Sequence, residues 1–311
     1  MQGSGISNVD VGSVTIRMAD DGGYNMLIGC TDMGTGCYTI LAQMAADVLD
    51  CRMEDIAVYA SDTDVSPYDS GSYASATTYV TGMACVKACG QLRDKIVATG
   101  AKMLDTAPEQ VEFDGERVYL TDDPSRFVTR KDISYKGQCG SNDELAATVS
   151  HSSPTSPPPF MAGAAEILLD PETGKVDLVD YCACVDCGTP INPHLARVQT
   201  EGGLVQGIGM ALYEDVVYDS KGINYSNSFL QYKIPSRLDI GTVRVEFESS
   251  YEPSGPFGAK SIGEIVINTP SPAIAAAVAR ASGVRIRELP ITAEKIVMGM
   301  MDNQNAAALS K

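Results

Sequence analysis

The 311-residue chain contains no apolar stretch approaching the ~20 residues that a membrane span requires. It is also short of positive charge: 23 Lys and Arg stand against 40 Asp and Glu, a net charge of −17. Binding to phosphate needs a basic footprint, so nucleic acid and anionic membrane surfaces are poor partners for it. Only two histidines occur, His151 and His194, in Pro-containing stretches read as loops, and neither has a metal-ligand spacing. There is no P-loop, no nucleophile elbow, no C-x4-C-x2-C iron–sulfur spacing and no repeat of fixed period. The opening residues, MQGSGISNVDVG, lack the basic and apolar regions of an export signal. Together with nine cysteines, an odd number, this sets the expectation of reduced thiols and a cytoplasmic location.

What is present is ordinary for a globular protein: 44% apolar and 20% charged residues, in a chain long enough for one large domain or two medium ones. The pattern is mixed α and β. SVTIRM and YNMLIG flank a turn-rich ADDGG and read as a hairpin. TILAQMAADVLD reads as a helix capped by Thr39, DIAVYAS as a strand, and a small-residue helix is expected from about Ala74 to Leu104. AAEILLDPETGKVDLVDY is a second hairpin, TVRVEFE a further strand, and SPAIAAAVARASG a helix with Ser271 as its cap and Gly283 as its stop. Thr292 caps a last helix through Met300. The stretch 135–160, rich in Gly, Ser and Pro, reads as an exposed connection between a first α/β lobe, 1–134, and a second, 161–311.

Several short stretches could carry chemistry. TDMGTGCYT places Gly34 and Gly36 before a helix start, where small residues let backbone N–H groups approach an anion; it lacks the third glycine of a dinucleotide fingerprint. GSYASATTY has the same character, though a plain capped helix start explains it as well. EGGLVQGIG sets Gln206 among glycines and aliphatics, as a buried amide satisfied either by the core or by a ligand. CACVDC offers Cys182, Cys184 and Cys187, but a fourth ligand is missing, and strand alternation puts the first two on one face and Cys187 on the other. Finally, PFGAKSIGE places one carboxylate, Glu264, behind a small-residue loop and directly before Ile265, Val266 and Ile267; it is either a loop acid with no role or an acid held in a poorly solvated place.

The order of these stretches is more specific than any one of them. GCTDMGTGCYTILAQMAADVL, SDTDVSPYDSGSYASATTYVTGMACVKA, VDCGTPINPHLARVQTEGGLVQGIGMALYE and GAKSIGE, in that succession, resemble the second molybdenum-cofactor-binding domain of the xanthine dehydrogenase and aldehyde oxidase family. The resemblance runs from about residue 10 to about 298, and it covers only the C-terminal half of the family's usual catalytic subunit. It implies either a separately encoded half, as in nicotinate dehydrogenase-like enzymes, or an excised piece.

The resemblance implies an α+β fold in two α/β lobes and a molybdenum–pterin cofactor whose metal carries a terminal sulfur or selenium and takes no ligand from side chains. It makes Glu264 the active-site base. It places the pterin against Met33, Gly34, Thr35 and Gly36, against Ala74, Ser75, Ala76 and Thr77, and against Gln206, with Tyr73 as a candidate wall of the substrate pocket. Two positions depart from the family: Thr35 stands where glutamine is common, and Ile265 where many members have proline. The implied activity is water-dependent oxidative hydroxylation of an aromatic N-heterocycle, purine- or nicotinate-like, or of an aldehyde. Electrons would leave through Fe–S and FAD partner subunits, beside a first cofactor-binding subunit or domain. Two alternatives stand beside this reading: a non-catalytic scaffold half, and a cofactor-free binding protein.

Overall fold

The SVTIRM/YNMLIG hairpin forms the centre of the first sheet. In the computed structural model, which describes residues 3–139 and 144–309, β1 (Gly12–Met18) and β2 (Tyr24–Ile28) pair antiparallel with Val14 opposite Ile28. Alternation along β1 sends Val14, Ile16 and Met18 to one face, the buried one. Helix α1 (Cys37–Leu49) follows, then β3 (Ile56–Ala60), which pairs parallel with β2. A π-helical turn, Thr77–Thr81, leads into α2 (Gly82–Met103). The antiparallel strands β4 (Val111–Phe113), β5 (Arg117–Leu120) and β6 (Phe127–Thr129) form a small second sheet, followed by α3 (Arg130–Cys139) and β7 (Ala146–His151). The main sheet runs β3-β2-β1-β7.

Helices α1 and α2 cover the main sheet because their apolar residues recur at helical spacing. Leu41, Met44, Ala45 and Leu49 of α1, and Ala84, Cys85, Ala88, Cys89, Leu92 and Ile96 of α2, are all buried with Ile16, Met26 and Ile28. Truncating a fully buried leucine such as Leu92 to alanine costs about 2–5 kcal/mol.

The chain divides into two units. One comprises Met1–Pro158 with Gly188–Asn192 and Ser250–Ser261; the other comprises Pro159–Cys187, Pro193–Ser249 and Ile262–Lys311. Two late stretches therefore rejoin the first unit. The expected connection at 135–160 carries the end of α3, all of β7 and the start of the next strand; residues 140–143 lie outside the described residues.

In the second unit, β8 (Phe160–Leu169) and β9 (Val176–Asp186) are the expected hairpin, closed at Asp170, whose carboxylate accepts from Glu172 N–H at 2.9 Å and the Thr173 hydroxyl at 2.8 Å. Those donors hold the Asp170 carboxyl below its usual range. Helix α4 (Pro193–Leu212) comes next, and β10 (Thr242–Phe247) then pairs parallel with β9, with Arg244 opposite Cys182. The unit ends with α5 (Pro270–Ser282) and α6 (Ala293–Leu309). Its core joins Leu178, Tyr181 and Ala183 of β9 to Leu204 and Ile208 of α4 and Ile274 and Val278 of α5. Among the described residues no helix is long and apolar enough to cross a membrane.

Several placements differ from the sequence reading, among them the long helix expected from about Ala74, which begins as α2 at Gly82 after the π-helical turn. Helix α1 begins at Cys37 with Gly36 at the cap, left-handed at φ 75°, and Thr39 lies inside the helix. Helix α5 opens at Pro270, whose fixed φ suits the first turn, so the expected cap Ser271 lies inside the helix and Thr269 stands at the cap. Thr292 does cap α6, accepting from Lys295 N–H at 3.3 Å, but the helix runs nine residues past Met300, to Leu309. Neither histidine is in a loop: His151 closes β7 and His194 lies in the first turn of α4.

Candidate active site

The loop between β2 and α1 is organised around a carboxylate that the sequence reading passed over. Asp32 Oδ1 accepts from Gly34 N–H at 2.9 Å and Gly36 N–H at 3.1 Å. Partial burial works to raise the Asp32 pKa, but the N–H groups of Gly34, Gly36, Tyr38 and Thr35 outweigh it and hold the carboxyl below its usual range. The expectation that these amides face an external anion is therefore corrected. An aspartate two residues ahead of a glycine closes an Asx turn, and backbone donors left unpaired are costly, so the local carboxylate takes them. What the loop presents outward is the Met33 side chain, 69% exposed, and the exposed Gly34 and Thr35. Directly after it, the buried Cys37 thiol is hydrogen-bonded to Cys30, which pulls Cys37 down and pushes Cys30 well up.

The second loop is strained. Ala74 at φ 51° and Ser75 at φ 59° are consecutive non-glycine residues in the left-handed region, and a π-helical turn follows at Thr77–Thr81. Each left-handed residue costs about 1–2 kcal/mol, so the surroundings must over-determine the turn. They do. Gly5 N–H donates to the Ala74 carbonyl at 2.9 Å, the Thr77 hydroxyl donates to Ser72 Oγ at 2.9 Å, and the Ala76 methyl is buried. The Asp10 carboxylate raises the Tyr73 phenol pKa, while about half of this residue stays exposed. Strained turns and π-bulges of this kind gather at functional sites.

Glu264 follows a tightly built loop. Pro256–Gly258 form a single 3-10 turn with Phe257 at φ 52° and Gly258 at φ 85°, and Ala259, Lys260 and Ser261 are buried. Beyond it, Gln199 Nε2 on α4 donates to the Gly263 carbonyl at 3.0 Å. Ile265 and Val266 enter an apolar cluster with Val185 and Cys187, and a Cβ built on Gly203 of α4 would lie 2.1 Å from Val266 Cγ2. The backbone around Glu264 is thus anchored while its side chain is exposed. The expected poorly solvated setting is not present in this chain, because the neighbouring Ile265 and Val266 occupy the apolar interior instead.

Gln206 is corrected too. It is exposed, since the buried face of α4 is set by Thr200, Gly203, Leu204, Gly207, Ile208 and Ala211, and position 206 falls opposite with Gly202 and Met210. Met33, Gly34, Thr35, Gly36, Tyr73, Ala74, Ser75, Ala76 and Thr77 belong to the first unit; Gln206 and Glu264 belong to the second. Cys182 and Cys184 project from one face of β9, Cys184 exposed, while Cys187 beyond its end is buried.

A family model for the molybdopterin cofactor-binding domain matches residues 1–241. The chain belongs to that family. Over 305 residues it is 36% identical to the probable hypoxanthine oxidase XdhD of Escherichia coli K12, covering 96% of this chain and 31% of that protein. It is 33% identical to the 6-hydroxypseudooxynicotine dehydrogenase complex subunit gamma of Paenarthrobacter nicotinovorans, covering 95% of this chain and 38% of the relative. The crystal structure of quinoline 2-oxidoreductase from Pseudomonas putida 86 superposes with a TM-score of 0.86 at 27% identity, over 94% of this chain and 38% of that one. The chain thus spans well under half the length of these relatives. Molybdopterin is the family's cofactor, and the residues present fit it. A Cβ built on Gly34 meets nothing within 4 Å, leaving open space at that loop. The over-determined turn at Ala74 and Ser75 is rigid, and Gln206 and Glu264 are outward-facing. Among the described residues no group of three or more His, Cys, Asp or Glu could hold a metal ion.

Proposed function

We propose that this chain is the second cofactor-binding half of a molybdenum hydroxylase that adds a water-derived oxygen to an electron-poor carbon of an aromatic N-heterocycle. The observation that carries the reading is Glu264, an exposed carboxylate on a backbone anchored at Gly263 and Val266. When bound, the molybdenum–pterin group supplies the two-electron acceptor and the oxygen-transfer chemistry. Glu264 takes the proton released as the carbon–oxygen bond forms, a general-base role that contributes about 10²–10⁴-fold in rate. Met33, Gly34, Thr35 and Gly36, the turn 74–77 and Gln206 hold the pterin. An N-heterocycle is favoured over an aldehyde because relatives above 30% identity are named for hypoxanthine, nicotine and 6-hydroxypseudooxynicotine.

The partners are a first cofactor-binding half and Fe–S and FAD subunits. The irregular stretch between α4 and β10 leaves Phe229 80%, Leu230 75% and Leu238 96% exposed, an apolar surface of the kind that a partner covers. The test is turnover of purine, pyridine and quinoline substrates by the assembled complex, wild type against Glu264→Gln. Loss of turnover with molybdenum and pterin retained is the expected result. Near-native turnover in the variant would remove Glu264 from the reaction and this reading with it.

A further inference from the structure

The first described residues form a strap that ties two parts of the candidate site together within the first unit. Ser4, 1% exposed, accepts at Oγ from Ser261 N–H at 3.0 Å and donates to the Pro157 carbonyl at 2.7 Å. The equally buried Ser261 hydroxyl lies 3.0 Å from both the Gly3 carbonyl and Ser4 Oγ. One residue on, Gly5 N–H donates to the carbonyl of the left-handed Ala74 at 2.9 Å, and the Gly5 carbonyl accepts from Ser156 Oγ at 2.6 Å. Ser156 Oγ also accepts from Ser4 N–H at 3.1 Å. The strap admits no larger residue at its glycines: a Cβ on Gly3 would lie 2.3 Å from Ser156 Oγ, and Gly5 has φ +82° with its Cβ position 2.9 Å from Asp10 Oδ2. Three consecutive residues therefore join the strained pterin-side turn to the loop that ends three residues before Glu264.

From this network we infer that Ser4 is a positioning residue for the Glu264 loop, acting through Ser261. Its hydroxyl is at once the acceptor for the buried Ser261 N–H and the donor to the partly buried Pro157 carbonyl. Removing it leaves both without their partner, which a loop can relieve only by moving. A displacement of the acid-bearing loop by about 1 Å is enough to cost ~10²-fold in turnover without touching substrate affinity. The inference rests on the proposed role of Glu264.

The test compares Ser4→Ala, Ser4→Thr, Ser261→Ala and Glu264→Gln in the assembled holoenzyme. Turnover, KM and molybdenum content are measured beside hydrogen–deuterium exchange of the peptide spanning 256–264. Expected for Ser4→Ala are a kcat about 10- to 100-fold lower, unchanged KM and metal content, and faster exchange confined to that peptide. Ser4→Thr, which keeps the hydroxyl, should restore most of the rate, and Ser261→Ala should show the same pattern more weakly. Should Ser4→Ala fail to fold, Ser261→Ala carries the comparison, since Ser261 N–H can still donate to Ser4. A dead Glu264→Gln beside serine variants with native kcat and native exchange at 256–264 overturns the positioning role alone. An active Glu264→Gln overturns the functional reading beneath it, whatever the exchange data show.

Discussion

Gln199 Nε2 donates to the carbonyl oxygen of Gly263 at 3.0 Å, so a side chain on α4 holds the peptide that enters Glu264. Without that donor the Gly263 peptide can rotate, and the carboxylate that follows loses its fixed direction. Gln199→Met keeps the volume and removes the amide. The expected outcome in the assembled enzyme is a kcat lower by about 10- to 100-fold with KM nearly unchanged, because geometry at the reacting atoms is disturbed and binding is not. Steady-state kinetics decide it. A rise in KM at constant kcat would give Gln199 a binding role instead.

Two neighbouring glycines on α4 separate packing from helix propensity. A Cβ on Gly203 would sit 2.1 Å from Val266 Cγ2, whereas a Cβ on Gly202 meets nothing within 4 Å. Gly203→Ala must push Val266 out of its cluster with Val185 and Cys187, and it should cost about 1–3 kcal/mol in urea unfolding. Gly202→Ala should be neutral or stabilising by up to ~1 kcal/mol, since alanine orders a helix interior better than glycine. Equal effects at the two positions would mean that Val266 is not seated on Gly203.

The sequence carried the strand and helix order well, because the apolar periods of β1, β9 and α1 are long and clean. It also identified the family from the order of four stretches. It could not set the phase of α4. Gln206 among glycines looks buried, yet Leu204, Ile208 and Ala211 turn the helix so that Gln206 faces out. The exposure of Glu264 was equally hidden, since burial of Ile265 and Val266 depends on contacts with β9 and β10 rather than on local pattern. The link from Ser4 to Ser261 spans 257 positions, beyond any local signal. Asp32 was legible in principle: Asp followed two residues later by Gly is an Asx-turn pattern, and it marks where the loop amides go.

Tyr79 is fully buried, and its hydroxyl lies 2.7 Å from Ser254 Oγ and 3.1 Å from both Ser153 Oγ and Thr155 Oγ1. This one phenol ties the π-helical turn that precedes α2 to the 153–155 stretch and to the turn before Pro256. Tyr79→Phe leaves the ring packing intact and strips three hydroxyls of a shared partner, so the loss should be about 1–3 kcal/mol. Chemical denaturation of the isolated chain measures it directly. A loss near zero would mean that water replaces the phenol at this site.

His151 should make stability pH-dependent in a window separate from the carboxylates. Its ring accepts at Nδ1 from Lys87 Nζ at 3.0 Å, and burial first, then the Lys87 charge, hold its pKa below the ordinary 6.5. The unfolded chain therefore takes up a proton near pH ~6.5 while the folded chain does not. In that range the unfolded state binds more protons, so this contribution is fully present above pH ~6.5 and is lost as pH falls towards the folded pKa. Wild type should lose stability between pH ~7.5 and ~5.5, and His151→Gln should lose less over the same interval, with the carboxylates contributing mostly below it. Lys87→Gln should also flatten the slope, by letting the folded ring protonate more readily. Unfolding free energies measured across the interval for the three chains provide the comparison; coincident slopes would show that His151 is as free to protonate in the folded protein as in the unfolded one.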